Sequence, residues 1–147
     1  MNDSIRIRWI MPGENLRDAA VVRREVFCRE QGYAEAVEFD DIDGEAWHVV
    51  LYDGEAPVAT GRLYPADTRG TLRIGRVAVW KSYRGAGLGA AVVGRLLERA
   101  RQTGAAQVEL DAQCRAMGFY RRFGFQEAGE EHMDGQIPHK KMKMSLK

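Results

Sequence analysis

The stretch from Arg76 to Thr103 most constrains the fold, because it joins a β-rich run, a glycine-dense loop and a run with helical period. The loop has glycine at three alternate positions, Gly85, Gly87 and Gly89. The first turn of a helix has unpaired N–H groups and the positive end of the helix dipole, and glycines leave that end open to an anion. The stretch therefore predicts a phosphate-binding turn between a strand and a helix.

Length and charge limit the other classes of function. A chain of 147 residues has the length of one domain, and 22 basic against 21 acidic residues leave a net charge of only +1. This charge gives no support for a nucleic-acid or membrane-surface partner. No apolar run approaches the roughly 20 residues of a membrane span, and the N-terminus lacks a signal peptide's apolar core. We expect one domain over residues 1–147, located in the cytoplasm.

The two cysteines, Cys28 and Cys114, do not indicate a metal site or a disulfide. They are far apart in the sequence, and neither has the closely spaced Cys or His that a zinc site would show. Two thiols in a cytoplasmic protein are usually reduced. We therefore expect free thiols and no metal.

Periodicity predicts the main elements. Alternation predicts a strand over 4–10 and a terminal strand from Lys140, while Asp53-Gly54 predicts a hairpin between strands 47–52 and 57–64. Helical spacing predicts helices over 16–30, 88–103 and 117–123, and the short strand 107–111 completes a right-handed βαβ unit.

The strand over 71–80 contains a change of phase. Its apolar residues hold even positions through Ile74 and odd positions from Val77, on either side of Gly75-Arg76. A one-residue slip beside a glycine is typical of a β-bulge, which frees backbone groups from the ladder. A ligand that extends from the glycine loop could pair with those groups.

Six acidic residues lie between Tyr33 and Glu45 with no Lys or Arg among them: Glu35, Glu38, Asp40, Asp41, Asp43 and Glu45. One interpretation is a solvated acidic loop or short helix, as charge runs usually are. The other is an electronegative wall that attracts a cationic substrate.

Two familiar phosphate loops fit the glycines poorly. An NTPase loop needs Lys and then Ser/Thr after its last glycine, and Gly89 is followed by two alanines. The dinucleotide fingerprint G-x-G-x-x-A is formally present, but four residues separate the strand from Gly85. Only 36 residues follow Asp111, too few for the rest of a doubly wound sheet and a substrate domain.

Two motifs instead resemble the GNAT superfamily of acetyl-CoA-dependent N-acetyltransferases. The loop 84–89, Arg-Gly-Ala-Gly-Leu-Gly, is similar to the signature (Gln/Arg)-x-x-Gly-x-(Gly/Ala), and residues 116–125 are similar to A-x-x-F-Y-x-x-x-G-F. The run 76–79 resembles that family's bulged fourth strand. Further segments at 24–31, 40–43 and 135–139 resemble the small bacterial YjcF/ElaA-like branch, although Gln136 is an addition to the branch's usual Gly-Ile-x-His.

The resemblance implies an α/β (α+β) fold in one domain: a mixed, mostly antiparallel twisted sheet of about six to seven strands, flanked by about four helices, with a bulge before the glycine loop. It also implies acetyl-CoA as co-substrate and a small primary amine as acceptor, and it is compatible with a homodimer. The expected acyl-CoA-binding residues are Val77, Ala78, Val79, Arg84, Gly85, Ala86, Gly87, Leu88, Gly89 and Tyr120. An acyl-CoA-binding sensor without turnover is the alternative.

The chemistry requires a base, because an alkylamine with a pKa near 10.4 is only about one part in 10³ neutral at pH 7. The candidates are Glu38, Asp40, Asp41, His48 and His139, with His139 first and Glu38 second. Tyr120 matches the family's general acid, and Asp40 and Gln113 are candidate substrate contacts. A covalent route through Cys114 stays open, although no histidine adjoins it in the sequence.

Overall fold

The computed structural model describes residues 4–147; the first three residues of the expected domain lie outside the described residues. Seven strands form one sheet in the order β1-β2-β3-β4-β5-β7-β6. The strands are β1 (Ile5–Ile10), β2 (Trp47–Asp53), β3 (Ala56–Pro65), β4 (Thr71–Val79), β5 (Gln107–Gln113), β6 (Gln126–Asp134) and β7 (Ile137–Ser145). The α-helices are α1 (Arg17–Arg23), α2 (Glu35–Glu38), α3 (Leu88–Gln102) and α4 (Met117–Arg121).

The sheet is antiparallel except where β4 pairs with β5, the two strands that α3 connects. This parallel pair confirms the predicted βαβ unit. The hairpin predicted at Asp53-Gly54 is also confirmed, since Asp53 pairs with Ala56 across the turn. The expected mixed sheet of six to seven strands with about four helices is therefore correct.

Strand β2, next to the edge strand β1, is buried on both faces. Val49 and Leu51 pack in the main core with α3, whereas Val50 and Tyr52 pack on the opposite face with α1. Burying each such apolar side chain contributes roughly 1.5–3 kcal/mol. Helix α3 lies so close to β3 that a Cβ at Gly61 would come within 2.7 Å of the Val92 side chain. The helix that follows the glycine loop is thus held firmly against the sheet.

The predicted bulge in β4 is confirmed. In β3, Thr60 pairs with Ala78 and Arg62 pairs with Gly75. The two β4 residues Arg76 and Val77 therefore lie opposite one β3 residue, Gly61. Arg76 has a φ of 50°, a left-handed conformation that is uncommon for a residue with a side chain. The bulge interrupts the ladder, which resumes beyond it with Ala78 and Val79 paired to β3.

The strands β4 and β5 are paired over a short stretch and then separate. Their register pairs are Thr71 with Gln107, Leu72 with Val108 and Arg73 with Glu109, and no later pair occurs among residues 4–147. Beyond these pairs each strand continues for several residues, to Val79 and Gln113. The parallel strands therefore leave an opening in the middle of the sheet.

The structure differs from the sequence predictions at two places. The helix expected over 16–30 begins at Arg17 and continues from Arg24 to Glu30 as a π-helix, because apolar spacing does not distinguish a 3.6-residue turn from a wider one. Strand β6 was not predicted. Nearly all of its residues are exposed, so its sequence carries no alternation between buried and exposed positions.

Candidate active site

The opening between β4 and β5 is a cleft of about 530 Å³. Strand β4 forms one wall from Arg73 to Val79, and the end of β5 with α4 forms the other. Of the residues expected at the site, the cleft is lined by Val77, Ala78, Val79, Arg84, Gly89, Glu38, Gln113, Tyr120 and His139. Sequence positions more than 100 residues apart thus meet at one place.

The glycine loop forms the turn into α3. Gly85 and Gly87 have φ values of 85° and 84°, which favour glycine, and Gly87 is the N-cap of the helix. No side chain caps this end. Gly85, Ala86, Gly87 and Leu88 do not line the cleft itself, whereas Gly89 does. The first N–H groups of α3 are consequently left for a ligand at the edge of the cleft.

The Arg84 side chain is bound within the protein. Its two terminal nitrogens lie 2.6 Å from the two carboxylate oxygens of Glu30, at the end of the π-helix, and its Nε donates to the carbonyl oxygen of Val79 at 3.0 Å. This bidentate pair is half exposed and offsets the charge of Arg84. Arg84 thus fixes the loop to β4 and to the π-helix.

Glu38 is a buried carboxylate at the cleft. Its Oε2 lies 2.9 Å from Arg23 Nε and 3.0 Å from Arg76 Nε. Burial raises the pKa of Glu38, although the charges of Arg76 and Arg23 oppose this shift. Arg23 itself is fully buried and also donates to Asp43. The carboxylate is therefore both a lining group and a structural ion-pair partner.

The acidic segment is not an electronegative wall, and it is not merely solvated. Asp43 accepts hydrogen bonds from Arg23 and Arg62, each at 2.7 Å, and Asp40 accepts from Arg62 at 2.7 Å. Burial alone would raise the pKa of Asp43, but the two guanidinium groups bring it below its usual value. Three arginines thus balance the three carboxylates of Glu38, Asp40 and Asp43. Asp40 does not line the cleft.

His139 lies on β7 with its ring buried against the cleft. Its Nδ1 is 2.9 Å from the carbonyl oxygen of Ile137. A carbonyl can only accept, so Nδ1 carries the proton and a neutral ring has its lone pair on Nε2. The ring of His132, on the exposed strand β6, stacks on it at 6.1 Å.

Tyr120 lies on α4 at the opposite wall. Burial raises the pKa of its phenol to about 12, so the hydroxyl keeps its proton at neutral pH. The ring packs edge to face against Phe119 and Phe125, with centroids 5.0 and 5.9 Å away. These contacts hold the hydroxyl-bearing ring at the cleft.

Three further candidates for chemistry lie elsewhere. His48 is buried away from the cleft; burial lowers its pKa, and its Nε2 bonds the carbonyl oxygen of Asp43. Asp41 is exposed in a short 3₁₀ helix. Cys114 does not line the cleft, and burial and a contact with Glu131 raise its pKa, which disfavours a thiolate. Both Cys28 and Cys114 are free.

Sequence reasoning missed the arginines of the cleft. Arg62, Arg73 and Arg76 all line it, and Arg73 bonds Glu109 and Asp111, each at 2.8 Å. The one available signal was the position of Arg62 and Arg73 in otherwise apolar strands, because a buried charge needs a partner. The partners come from distant segments, so the sequence did not identify them.

Gln113 donates from Nε2 to Oε1 of Gln31 at 3.0 Å, and both side chains line the cleft. Among residues 4–147, no group of three His, Cys, Asp or Glu side chains could hold a metal ion. Within the same residues, no helix is long and apolar enough to cross a membrane.

Comparison with known proteins agrees with this geometry. The family model described as an acetyltransferase (GNAT) domain matches residues 14–146. The uncharacterized N-acetyltransferase YjcF of Bacillus subtilis is 41% identical over 130 residues, which cover 88% of this chain and 91% of the relative. The structure of Escherichia coli ElaA superposes with a TM-score of 0.85 at 28% identity, covering 95% of this chain and 99% of ElaA. An acyl-CoA N-acyltransferase from Pseudomonas aeruginosa gives 0.84 at 27% identity, covering 95% and 99%.

Proposed function

Because this chain belongs to the GNAT acetyltransferase family and is an acyltransferase, we propose that it transfers the acetyl group of acetyl-CoA directly to a primary amine of a small acceptor. The observation that carries this proposal is the separation of β4 from β5 after Arg73 and Glu109. It opens a cleft that is lined by the bulged strand, by Arg84 and Gly89 at the two ends of the glycine loop, and by Tyr120 and His139. We further propose that the protein acts in the cytoplasm.

The part of the site that binds acyl-CoA is formed by the backbone of β4 and of the glycine loop. Past the bulge, the peptide groups of Val77, Ala78 and Val79 pair with the amides of the pantetheine arm as an added strand would. The N–H groups from Arg84 to Gly89 bind the pyrophosphate at the uncapped start of α3. Because Glu30 already neutralises Arg84, backbone donors and not the guanidinium contribute most of this binding.

His139 is the proposed base. The nitrogen of the amine forms a bond to the thioester carbonyl carbon, and the proton that it loses passes to Nε2 of His139. The Nδ1 contact with the carbonyl of Ile137 holds the ring in the tautomer that this step needs. Glu38 is the second candidate, since burial raises its pKa, but its proton would compete with Arg23 and Arg76.

Tyr120 is the proposed general acid. As the bond from carbon to sulfur breaks, the phenol gives its proton to the CoA thiolate. A phenol with a pKa of about 12 is protonated throughout the neutral range, but it is a weaker acid than the CoA thiol, so the proton transfer is uphill. A thiolate whose conjugate acid has a pKa near 8.5 leaves without much help, so the contribution is modest.

Gln113 is proposed to contact the acceptor, because its side chain lines the cleft beyond the last β4–β5 pair. Asp40 acts on the acceptor only through Arg62 and Arg76, to which it is bound. The resemblance is compatible with a homodimer, and we propose no nucleic-acid or membrane partner.

Thermal unfolding with added nucleotides tests the acyl-CoA site. Acetyl-CoA at 100 times its Kd should stabilise the protein by about 2.7 kcal/mol, and NAD and ATP at the same concentration should not. Equal stabilisation by NAD would contradict the proposal, since the glycine loop alone also fits a dinucleotide.

A further inference from the structure

Arg62 has one donor without a partner. The side chain is buried, with 2% of the residue exposed, and its two terminal nitrogens bond Asp40 and Asp43 at 2.7–3.1 Å. Its Nε has no hydrogen-bond partner among residues 4–147. A buried donor left unpaired costs roughly 1–3 kcal/mol, so this group calls for a partner such as a water molecule, an ion or a ligand.

This donor lies beside an empty position in the wall of the cleft. Gly75 is the cross-strand partner of Arg62, and both residues line the cleft. A Cβ on Gly75 would lie 3.8 Å from Arg62 Nε and 3.8 Å from the ring of Tyr64. The missing side chain at Gly75 thus leaves unfilled space beside the enclosed Nε–H group, and a ligand oxygen in that space forms the hydrogen bond once the two atoms approach by about 1 Å.

The charges of the cleft disfavour a further cationic group on the acceptor. Five arginines line it (Arg62, Arg73, Arg76, Arg84 and Arg115) against three carboxylates (Glu38, Asp111 and Asp134). Glu38 and Asp111 are already bound by arginines, and Asp134 is exposed at the rim. A cationic group inside the cleft would therefore find no uncommitted buried carboxylate among the described residues.

We propose that the acceptor is an amine that also carries a carboxylate, that is, an amino acid, and that the carboxylate binds Arg62 Nε over Gly75. This inference rests on the proposed function and names its substrate class. The arginines near Arg62 are balanced by Glu38, Asp40 and Asp43, so a directed hydrogen bond, and not an excess of positive charge, selects the carboxylate.

The test compares matched acceptors with acetyl-CoA at saturation. The α-, β- and γ-amino acids are each paired with their decarboxylated amine, and KM is corrected for the neutral fraction of the amine. The carboxylate-bearing member of at least one pair should have a KM about 10- to 100-fold lower, the range expected for a hydrogen bond to a charged group. Equal values in all pairs would overturn the inference.

Gly75→Ala gives the matched variant. A Cβ there meets its neighbours at ordinary contact distance, and Gly75 does not have a positive φ, so the fold accepts it. It should raise KM about 10-fold for the preferred amino acid and less than about 2-fold for its decarboxylated partner. Gly94→Ala is the control, because Gly94 lies in α3 with open space around it, and it should change neither KM value. Equal loss for both members of the pair would contradict the role of this position.

A binding measurement distinguishes a failure of this inference from a failure of the proposed function. If no amine is acetylated, the proposed function fails, and calorimetry of the same pairs with CoA present decides the inference. Tighter binding of an amino acid than of its decarboxylated amine, lost in Gly75→Ala, would uphold it. Equal binding, or no binding of any pair, would overturn it.

Discussion

Arg73 and Glu109 are the last register pair that joins β4 to β5, and they also form an ion pair with 2.8 Å between Nη1 and Oε1. The point at which the parallel strands separate is therefore held by charge as well as by backbone hydrogen bonds. Lys141 of β7 approaches the second oxygen of Glu109 at 3.1 Å, which extends the contact to a third strand. The cleft begins where this network ends.

Glu109→Gln should destabilise the protein by about 1–3 kcal/mol at pH 7, the cost of losing charged hydrogen bonds that are mostly buried. Burial alone would raise the pKa of Glu109, but Lys141 and Arg73 lower it. A lowered pKa stabilises the folded state above the unfolded pKa, near 4.5, and this stability is lost as pH falls further. Urea unfolding should show the difference from wild type shrinking below pH 4.5. Glu55→Gln, exposed in the hairpin, is the control and should change little.

Asp43→Asn should cost about 3–5 kcal/mol, because it removes one of the two carboxylates that compensate the fully buried Arg23 and also a partner of the buried Arg62. Asp41→Asn, two residues away and exposed, should stay within about 0.5 kcal/mol of wild type. Both free energies of unfolding come from urea titrations at pH 7. Similar small effects in the two variants would show that the buried ion pairs contribute little to stability.

The free energy of unfolding should rise with pH because of one buried histidine, His48. Burial lowers the pKa of His48 below 6.5, so the unfolded chain takes up a proton there before the folded one does. Its contribution is thus present above pH 6.5 and is lost as pH falls through the folded pKa, with a slope of at most about 1.4 kcal/mol per pH unit. His48→Gln should flatten this part of the stability curve. An unchanged curve would contradict a neutral buried His48.

The fold could largely be predicted from the sequence, whereas the site could be predicted only in part. Local signals sufficed for the bulge at Gly75-Arg76 and the turn at Gly87, because each depends on neighbouring residues. The pairing of Glu38 with Arg23 and Arg76 depends on segments brought together by folding, so the acidic run was misread. The same holds for the unpaired Nε of Arg62, since a sequence does not show which donors stay unpaired.

His139→Gln should lower kcat by about 10²- to 10⁴-fold with little change in KM, as expected for the loss of a general base. His132→Gln, which removes the stacked but exposed ring, should keep most of the rate. If the two variants behave alike, His139 is not the base, and Glu38→Gln becomes the next variant to assay.

The most direct test of the central claim is turnover. The protein is incubated with acetyl-CoA and a panel of amino acids, polyamines, aminosugars and peptides, while CoA thiol release and the mass of the product are followed. We predict that at least one amine gains an acetyl group in step with thiol release. Tyr120→Phe should bind acetyl-CoA normally and lose at most about 10²-fold in kcat. Tight binding of acetyl-CoA without any acetylated product would contradict the account and indicate an acyl-CoA sensor.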